Sequence, residues 1–305
     1  MIQAKDHIDT FGASLLISFS LLLGLNQVCI KLVNAGLDPG FQAGLRSLCA
    51  FFPVLLFAMV KRRELSVSNG SLLPGIAVGV LFAGEFLLLF KALDHSSVAR
   101  VSVLFYTMPF WLAIAAHVFI PGEQLNRLKV IGLLLAISGV LLTLSNSVGT
   151  NSETRWLGDL YCLLAAGGWA AIVMVTRTTA LKKSCPEMQL LYQLAVSAPI
   201  LLAVAWANGE FIREPTLFTW GIFAFQVLVV VSVGFLSWFW VLSIYPVSKM
   251  AVFSFLAPVF GVLFGWLLLD EVVGLNILLA LILIAVGIAL VNWPSSSGGS
   301  SSKQP

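Results

Sequence analysis

The stretch SSVARVSVLFYTMPFW, residues 96–111, has a counterpart late in the chain, YPVSKMAVFSFLAPVF, residues 245–260. Each stretch contains a cation, eight mostly apolar residues and then a proline: Arg100 and Pro109 in the first, Lys249 and Pro258 in the second. The two pairs share one offset, because 249 minus 100 and 258 minus 109 both give 149. A shared offset predicts a chain built from two copies of one unit, the kind of internal symmetry found in many membrane proteins.

The composition indicates that this unit lies in a membrane. The chain has 305 residues, of which 59% are hydrophobic and 10% are charged, whereas a soluble domain carries about 25% charged residues. The net charge of +3 is scattered and forms no basic stripe, so nucleic acid is not expected as a partner. Four irregularly spaced cysteines and three dispersed histidines predict neither a disulfide framework nor a metal site, and no cofactor is expected.

The number of apolar runs predicts the fold class. A helix that crosses the hydrocarbon core of a bilayer needs about 20 mainly apolar residues. Runs of about that length lie near 11–34, 40–60, 72–92, 98–119, 127–145, 157–181, 187–207, 217–243, 249–269 and 273–293. We therefore predict an all-α integral membrane protein with ten transmembrane helices in two five-helix repeats.

The repeat defines the predicted domains. Gly139 and Gly287 extend it at an offset of 148, and the seven-residue spacing of Pro39 and Arg46 recurs in Pro186 and Gln193. The predicted segments are a cytoplasmic N-terminus at 1–10, a first repeat at 11–145, an external linker at 146–156, a second repeat at 157–293 and a flexible tail at 294–305.

An odd number of helices per repeat has a topological consequence. The second copy must enter the membrane from the opposite face, so the two copies are related by a pseudo-two-fold axis in the membrane plane. Inverted repeats of this kind recur in alternating-access transporters, which bind their substrate near the bilayer midplane. The alternative is a repeat kept only for packing, in a membrane enzyme or a scaffold.

The positions of lysine and arginine predict the orientation. With the N-terminus in the cytoplasm, eleven of the 17 Lys and Arg residues fall in inside segments and three in outside segments. Cytoplasmic segments are enriched in these residues, so both termini are predicted to be cytoplasmic.

Four polar residues lie at membrane depth in the first three spans: Asn26, Lys31, Arg46 and Glu85. Ionisable groups at that depth face protein or water by default. One hypothesis makes Glu85 a protonatable or cation-binding group, with Arg46 or Lys31 as its counter-charge or as a docking point for a substrate carboxylate. The alternatives are a fixed salt bridge between spans and, for Lys31, a side chain that extends to the headgroups.

Aromatic residues and prolines add two further hypotheses. We expect a cavity with aromatic walls suited to an amphiphilic solute, lined by Phe86, Phe105, Tyr106, Trp169, Trp238 and Phe255. A mid-helix proline removes a backbone hydrogen bond and bends the helix. We therefore expect a gating role for Pro109 and Pro258, together with the cations Arg100 and Lys249; the alternative is a static kink.

These features resemble the drug/metabolite transporter superfamily, specifically its ten-helix EamA-type members. The residues that carry the resemblance over 11–293 are Asn26, Lys31, Pro39, Arg46, Ala92 and Leu93, Ala99 to Pro109, Glu123, Gly132, Gly139, Gly168 to Ala170, Pro186, Ser248 to Pro258, Glu271 and Gly287. The resemblance implies a central cavity lined by spans 1, 3, 4, 6, 8 and 9, and substrates such as amino acids, nucleotide sugars, sugar phosphates, vitamins or xenobiotics. The chain departs from internal symmetry at Gln193 and Gly234, which correspond to Arg46 and Glu85.

The predicted function is that of a secondary transporter, not an enzyme. It would export an amino-acid-like or amphiphilic metabolite across the bacterial inner membrane, with protons as a candidate coupling ion and a monomer or weak dimer as the assembly. One alternative is an uptake transporter for a vitamin or a quaternary amine. A more distant one is an intramembrane enzyme, which would need a nucleophile beside a positioned base, or a metal, at membrane depth.

Overall fold

The structure of the protein, a computed structural model, describes residues 9–67, 70–120, 125–145, 154–209, 211–234, 237, 241, 244, 253 and 256–291. The described part of the chain is helical, with one isolated antiparallel bridge between Leu37 and Ile212. The all-α prediction is therefore confirmed.

The helices follow the apolar runs of the sequence. In chain order they are α1 (Thr10–Asn34), α2 (Pro39–Val60), α3 (Leu72–His95), α4 (Val98–Phe105), α5 (Met108–Phe119), α6 (Arg127–Ser145), α7 (Arg155–Thr178), α8 (Pro186–Asn208), α9 (Leu217–Phe225), α10 (Leu256–Leu269) and α11 (Leu275–Val291). A 3₁₀ turn, Ala180–Lys183, precedes α8, and α9 continues directly into a π-helix, Gln226–Gly234.

Eight stretches of the described chain are long and apolar enough to cross a membrane. They are α1, α2, α3, the pair α4–α5, α6, α7, α8 and α9 with its π-helix. The remaining two predicted spans correspond to the shorter apolar helices α10 and α11. The chain is an integral membrane protein on this evidence, since water cannot solvate so much apolar helix surface.

Local sequence explains where several helices begin and end. The Asp38 carboxylate accepts hydrogen bonds from the backbone N–H groups of Gly40 and Phe41, at 2.8 and 3.0 Å. Pro39 occupies the first position of α2, where its missing N–H costs nothing. Helix α8 is followed by Gly209, whose φ of 74° is a left-handed conformation that glycine adopts without strain.

The fourth span is broken near its middle. Helix α4 ends at Phe105 and α5 begins at Met108, with Pro109 in the first turn of α5. Proline has no N–H to donate to the preceding turn, so it weakens the helix there, although Pro53 and Pro199 lie inside the unbroken helices α2 and α8. At the break, the hydroxyl of Thr107 donates to the carbonyl of Leu104 at 2.7 Å. Pro258 likewise lies in the first turn of α10 as the structure describes that helix.

Small residues bring the helix backbones together. A Cβ on Gly132 of α6 would collide with the carbonyl oxygen of Gly287 of α11, and one on Gly24 of α1 would lie 2.7 Å from atoms of Phe260 and Gly261 of α10. Without a hydrophobic driving force between helices in lipid, such close approach supplies the packing energy.

Contacts between loops define two ends of the bundle. The "Arg213 end" comprises residues 35–38, 96–97, 211–216 and 270–274, joined by contacts such as the hydrogen bond from Asp38 N to Phe211 O at 3.1 Å. The "Lys61 end" comprises residues 61–67 and 179–185. It is joined to the start of α8 by the ion pair of Arg63 Nε with Glu187 Oε1 at 2.9 Å.

Candidate functional site

Two opposite charges lie inside the bundle on neighbouring helices. Arg46 follows Pro39 by seven residues on α2, and Glu85 precedes His95 by ten residues on α3. At 1.5 Å per residue they lie roughly 10 and 15 Å from the Arg213 end. Each residue exposes only 4% of its surface, so both charges are held in the interior of the protein.

The Arg46 guanidinium packs against a row of aromatic rings on α3, called here the aromatic ladder (Phe82, Phe86 and Phe90). Its Cζ lies 4.6 Å from the ring centroid of Phe86 and 4.8 Å from that of Phe90, one helical turn later on α3. Phe82 continues the ladder, with its centroid 4.1 Å from that of Phe86. The negative ring faces attract the cation and fix the plane of its fork of N–H donors.

The two charges do not close onto each other. Among the described residues, Arg46 and Glu85 form no ion pair, although the carboxylate attracts the guanidinium electrostatically. Arg46 Nη1 is buried and has no hydrogen-bond partner among the residues that the structure describes. A fixed salt bridge was the alternative interpretation of these charges. The described residues contain no such bridge between Arg46 and Glu85.

The backbone of α7 packs directly against Glu85. A Cβ added to Gly168 would lie 3.3 Å from the Glu85 Cβ, whereas one added to the preceding Gly167 would meet no atom within 4 Å. Trp169, the next residue along, is half-buried. Gly168 thus determines how closely α7 approaches the carboxylate.

A pair of glutamine amides lies one helical turn from Arg46. Gln42 Nε2 donates to Gln226 Oε1 at 3.3 Å, and both residues are fully buried. This leaves Gln42 Oε1 and Gln226 Nε2 buried without partners in the described part of the chain, which is unusual for polar groups inside a protein. Neither residue was predicted from the sequence, although an uncharged amide inside an apolar run is a signal that could have identified both.

The remaining predicted cavity residues occupy varied environments. Asn26 is half-buried, and its Oδ1 has no hydrogen-bond partner within the described ranges. Phe105 and Tyr106 lie at the break between α4 and α5, where Tyr106 is buried and Phe105 is partly so. Three further predicted residues lie outside the described residues: Trp238, Lys249 and Phe255.

Lys31 lies apart from the Arg46–Glu85 pair. Its Nζ donates to the carbonyl oxygens of Leu93, at 3.1 Å, and Ser96. These carbonyls belong to the last turn and the end of α3, and Leu93 lies about 12 Å along the helix from Glu85. The lysine therefore caps the C-terminus of α3, where a cation complements the helix dipole.

Arg100, predicted as part of a gate, is held by a second buried carboxylate. Its Nε lies 2.6 Å from Asp159 Oδ1 and its Nη2 lies 2.7 Å from Asp159 Oδ2. The two residues are 3% and 5% exposed. This bidentate pair joins α4 to α7, and Asp159 was not singled out from the sequence.

Contacts between the two halves of the chain close the Arg213 end. The Glu271 carboxylate accepts from the backbone N–H groups of Val98, at 2.7 Å, and Ala99, at 2.9 Å, and so caps α4. Arg213 binds Asp94 through two nitrogens, at 2.9 and 3.0 Å. Both contacts connect residues after 200 with residues before 100. The two halves of the chain are therefore joined at this end.

Two surface depressions lie away from these charges. One, of about 310 Å³, is apolar and lies between α2 and α8, beside Phe52 and Pro199. The other, of about 610 Å³, lies between α10 and α11 and includes Trp266 and Glu271. Neither depression is lined by Arg46 or Glu85.

Comparisons with known proteins identify the family. The sequence profile of the EamA-like transporter family matches twice, over residues 10–145 and 156–293. The chain is 26% identical over 279 residues to the uncharacterized transporter YoaV of Bacillus subtilis, covering 90% of this chain and 94% of that protein. It is 28% identical over 256 residues to a protein of Escherichia coli named probable amino-acid metabolite efflux pump, covering 81% and 83% of the two chains.

Two further comparisons agree with these. The pseudopaline exporter CntI of Pseudomonas aeruginosa is 25% identical over 263 residues, covering 86% of this chain and 88% of that protein. One solved crystal structure superposes with a TM-score of 0.66 at 18% identity, over 92% of this chain and 96% of that one, and this likeness concerns the fold alone. The resemblance to the drug/metabolite transporter superfamily is confirmed. The prediction that the chain is not an enzyme agrees with the names of these relatives, which are a transporter, an efflux pump and an exporter. The two profile matches together span most of the sequence, and the chain is therefore a transporter of the EamA-like family.

Proposed function

We propose that this protein is a secondary transporter that exports a small amino-acid-like solute across the bacterial inner membrane by alternating access. Its two halves, 11–145 and 157–293, are inverted five-helix repeats, and both termini are cytoplasmic. The solute binds between the halves, beside Arg46 and Glu85, and the halves rock about it.

The exchange of packing partners between the halves carries the proposal. In the repeat, α1 corresponds to α7, and α10 corresponds to the pair α4–α5. Helix α1 packs on α10, and α7 packs on α4 and α5, which is the same contact with the halves exchanged. The corresponding helices α2 and α8 pack on each other, as do α6 and α11. A two-fold axis between inverted repeats would produce this pattern.

The sealed Arg213 end supports alternating access. With the orientation favoured by the lysine and arginine positions, this end is external. The Glu271 cap on α4 and the Arg213–Asp94 ion pair then hold the external mouth closed. Opening it requires these contacts between the halves to separate, while contacts such as Arg63–Glu187 at the Lys61 end form the opposing closure.

The break in the fourth span supplies a place for the bend. Pro109 follows the interruption at residues 106–107, and Pro258 occupies the corresponding position of the second half. Arg100 is anchored to Asp159, so α4 and α7 would move as one body while α5 bends relative to them. Lys249 is assigned to the matching gate of the second half by its place in the repeat.

The environment of Arg46 favours an amino-acid-like solute over a quaternary amine. A quaternary amine is recognised by open aromatic faces, but the Arg46 guanidinium already covers Phe86 and Phe90. The names of the Escherichia coli and Pseudomonas aeruginosa relatives, a probable amino-acid metabolite efflux pump and a pseudopaline exporter, support an amino-acid-like cargo and export.

Counterflow in proteoliposomes tests the transport proposal. Purified protein is reconstituted with an unlabelled α-amino acid inside, and uptake of the labelled amino acid is measured with and without a pH gradient. We expect transient accumulation above equilibrium, which an exchanger or carrier produces and a channel does not. Absence of counterflow across panels of amino acids, vitamins and quaternary amines would reject the proposal.

Cysteine labelling tests the orientation independently. In a variant lacking Cys29, Cys49, Cys162 and Cys185, single cysteines replace Glu214, at the Arg213 end, or Glu64, at the Lys61 end; both positions are exposed. A membrane-impermeant maleimide should label the Glu214→Cys variant in intact cells and the Glu64→Cys variant only after permeabilisation. The reverse pattern would invert the topology.

A further inference from the structure

We propose that Arg46 and Glu85 are the two poles of a binding site for the zwitterionic end of an α-amino acid. Arg46 binds the carboxylate and Glu85 binds the ammonium group. This inference rests on the proposed transport function, and it assigns a solute class and a role to each charge.

An open pair of buried charges needs a ligand. Burying a charge is expensive unless it is paired and hydrogen-bonded. The chain closes such a pair at Arg100 and Asp159, with distances of 2.6 and 2.7 Å. At Arg46 and Glu85, both 4% exposed, it leaves the pair open. A solute carrying one charge of each sign would satisfy both poles at once.

The Arg46 guanidinium is held in one plane and has a donor available for a ligand. Contact with Phe86 and Phe90 holds one face of the guanidinium and fixes its plane. Its buried Nη1 has no hydrogen-bond partner within the described chain. Arginine binds carboxylates through two parallel N–H groups in that plane, so a preorganised fork with unused donors suits a carboxylate.

The ammonium group of the solute needs hydrogen-bond acceptors, and Glu85 is the charged one. Glu85 accepts no hydrogen bond from another described residue and is held against α7 by contact with Gly168. An ammonium group has three donors, and one carboxylate does not satisfy them all. Gln42, one turn from Arg46 on α2, has a buried Oε1 without a partner, and Gln226 has a matching free donor, Nε2.

The walls indicate the side chain of the solute. Phe82 lies one turn before the two rings that Arg46 covers, and the half-buried Trp169 lies next to the contact of Gly168 with Glu85. These groups would pack on an apolar or aromatic side chain. A carboxylic acid or an amine of the same skeleton would leave one buried pole unpaired, which truncation of charge pairs shows to weaken binding by roughly 30-fold or more.

Ligand-induced stabilisation tests the assignment. The unfolding temperature of the full-length protein in detergent is measured with three solutes of one skeleton, L-phenylalanine, 3-phenylpropionate and phenethylamine, and with L-leucine and L-methionine. A ligand that binds the folded state raises this temperature. We expect at least one amino acid to do so, at concentrations about 30-fold or more below those that the corresponding acid or amine requires.

Two variants give the decisive signature. Arg46→Gln should reverse the preference toward phenethylamine, because only the carboxylate pole remains. Glu85→Gln should reverse it toward 3-phenylpropionate, because only the guanidinium remains. A purely structural role would lower the unfolding temperature of the ligand-free variant without reversing any preference, and that result would overturn the proposal.

The design separates poor folding and failed transport from a failed site. If a glutamine variant does not fold, Arg46→Lys and Glu85→Asp keep each charge but displace it, and each should weaken amino-acid binding while preserving the order of the three solutes. A changed order, or no stabilisation of the wild type by any of the amino acids, rejects the site. Counterflow of another solute class would then leave transport standing, whereas reciprocal selectivity without counterflow would support the site and reject transport.

Discussion

Two buried arginines of this protein lie near buried carboxylates, and the structure treats them differently. Arg100 and Asp159 join α4 to α7 through two short hydrogen bonds, and Arg100 Nη2 also reaches the carbonyl of Leu144 at 3.4 Å. Arg46 instead lies on aromatic rings, with Nη1 unpartnered and Glu85 beyond ion-pair contact. Each pair combines one arginine with one carboxylate, yet only one pair is closed.

The difference distinguishes a structural pair from a functional one. A closed bidentate pair contributes rigidity between two helices and leaves nothing for a ligand to bind. An open pair costs stability, and such a cost is typical of sites whose partner arrives from solution. The comparison predicts that changes at Asp159 act on folding, whereas changes at Glu85 act on binding.

The largest effect is expected at Asp159. Asp159→Asn keeps the shape of the side chain but leaves Arg100 buried without its counter-charge, which should lower the free energy of unfolding by about 3–5 kcal/mol. Denaturant unfolding in detergent measures this change. The control is Asp94→Asn, in the more exposed pair with Arg213, where a loss of about 1 kcal/mol or less is expected. Equal losses at the two sites would contradict the structural role of the buried pair.

Replacing the open pair should have the opposite sign. The double variant Arg46→Met with Glu85→Leu removes two poorly compensated buried charges, so the free energy of unfolding should rise by about 1–4 kcal/mol. Counterflow of amino acids should be lost at the same time. Retained counterflow would show that the open pair has no role in transport.

A third carboxylate, the half-buried Glu271 at the Arg213 end, tests whether closure requires an arginine. Glu271 is satisfied by the N–H groups of Val98 and Ala99, so Glu271→Gln should weaken the α4 cap and cost about 1 kcal/mol. Hydrogen exchange at these two amides should accelerate. Asp270→Asn, in the adjacent exposed and left-handed position, is the matched control, and an equal acceleration there would contradict the cap.

The smallest effect is expected from a single methyl group. Gly168→Ala places a Cβ 3.3 Å from the Glu85 Cβ, so the carboxylate must shift by a few tenths of an ångström. We expect roughly threefold to tenfold weaker binding of the amino acid. Gly167→Ala, which meets no atom within 4 Å, should leave affinity unchanged. A similar loss in both variants would indicate a general effect on α7 rather than on Glu85.

Much of the fold could be predicted from the sequence because the relevant properties are local. A span is recognised by its length and hydropathy, which the bilayer thickness imposes on each helix separately. The recurrence of Arg100 and Pro109 as Lys249 and Pro258 indicated the repeat, and the family resemblance that followed from it is confirmed. Pro109 likewise predicted an interruption, and the fourth span is broken at residues 106–107.

The candidate site was predictable only in part. Arg46 and Glu85 could be recognised as charges at membrane depth, because any ionisable group in an apolar run is conspicuous. The sequence could not show that Arg46 lies on Phe86 and Phe90. Gln42 and Gln226 were missed because uncharged amides are less conspicuous, and nothing local links two residues 184 positions apart.

By itself, then, the sequence determined that the chain is a membrane protein, that its second half repeats its first, and which family it belongs to. Only the tertiary structure decided which charges meet: Arg100 with Asp159, Glu271 with the start of α4, and Arg46 with aromatic rings rather than with Glu85. The physical reason is that hydropathy is a property of each helix alone. Charge pairing depends on the rotation and depth of two helices relative to each other, and these are set by how small residues such as Gly168 let the backbones approach.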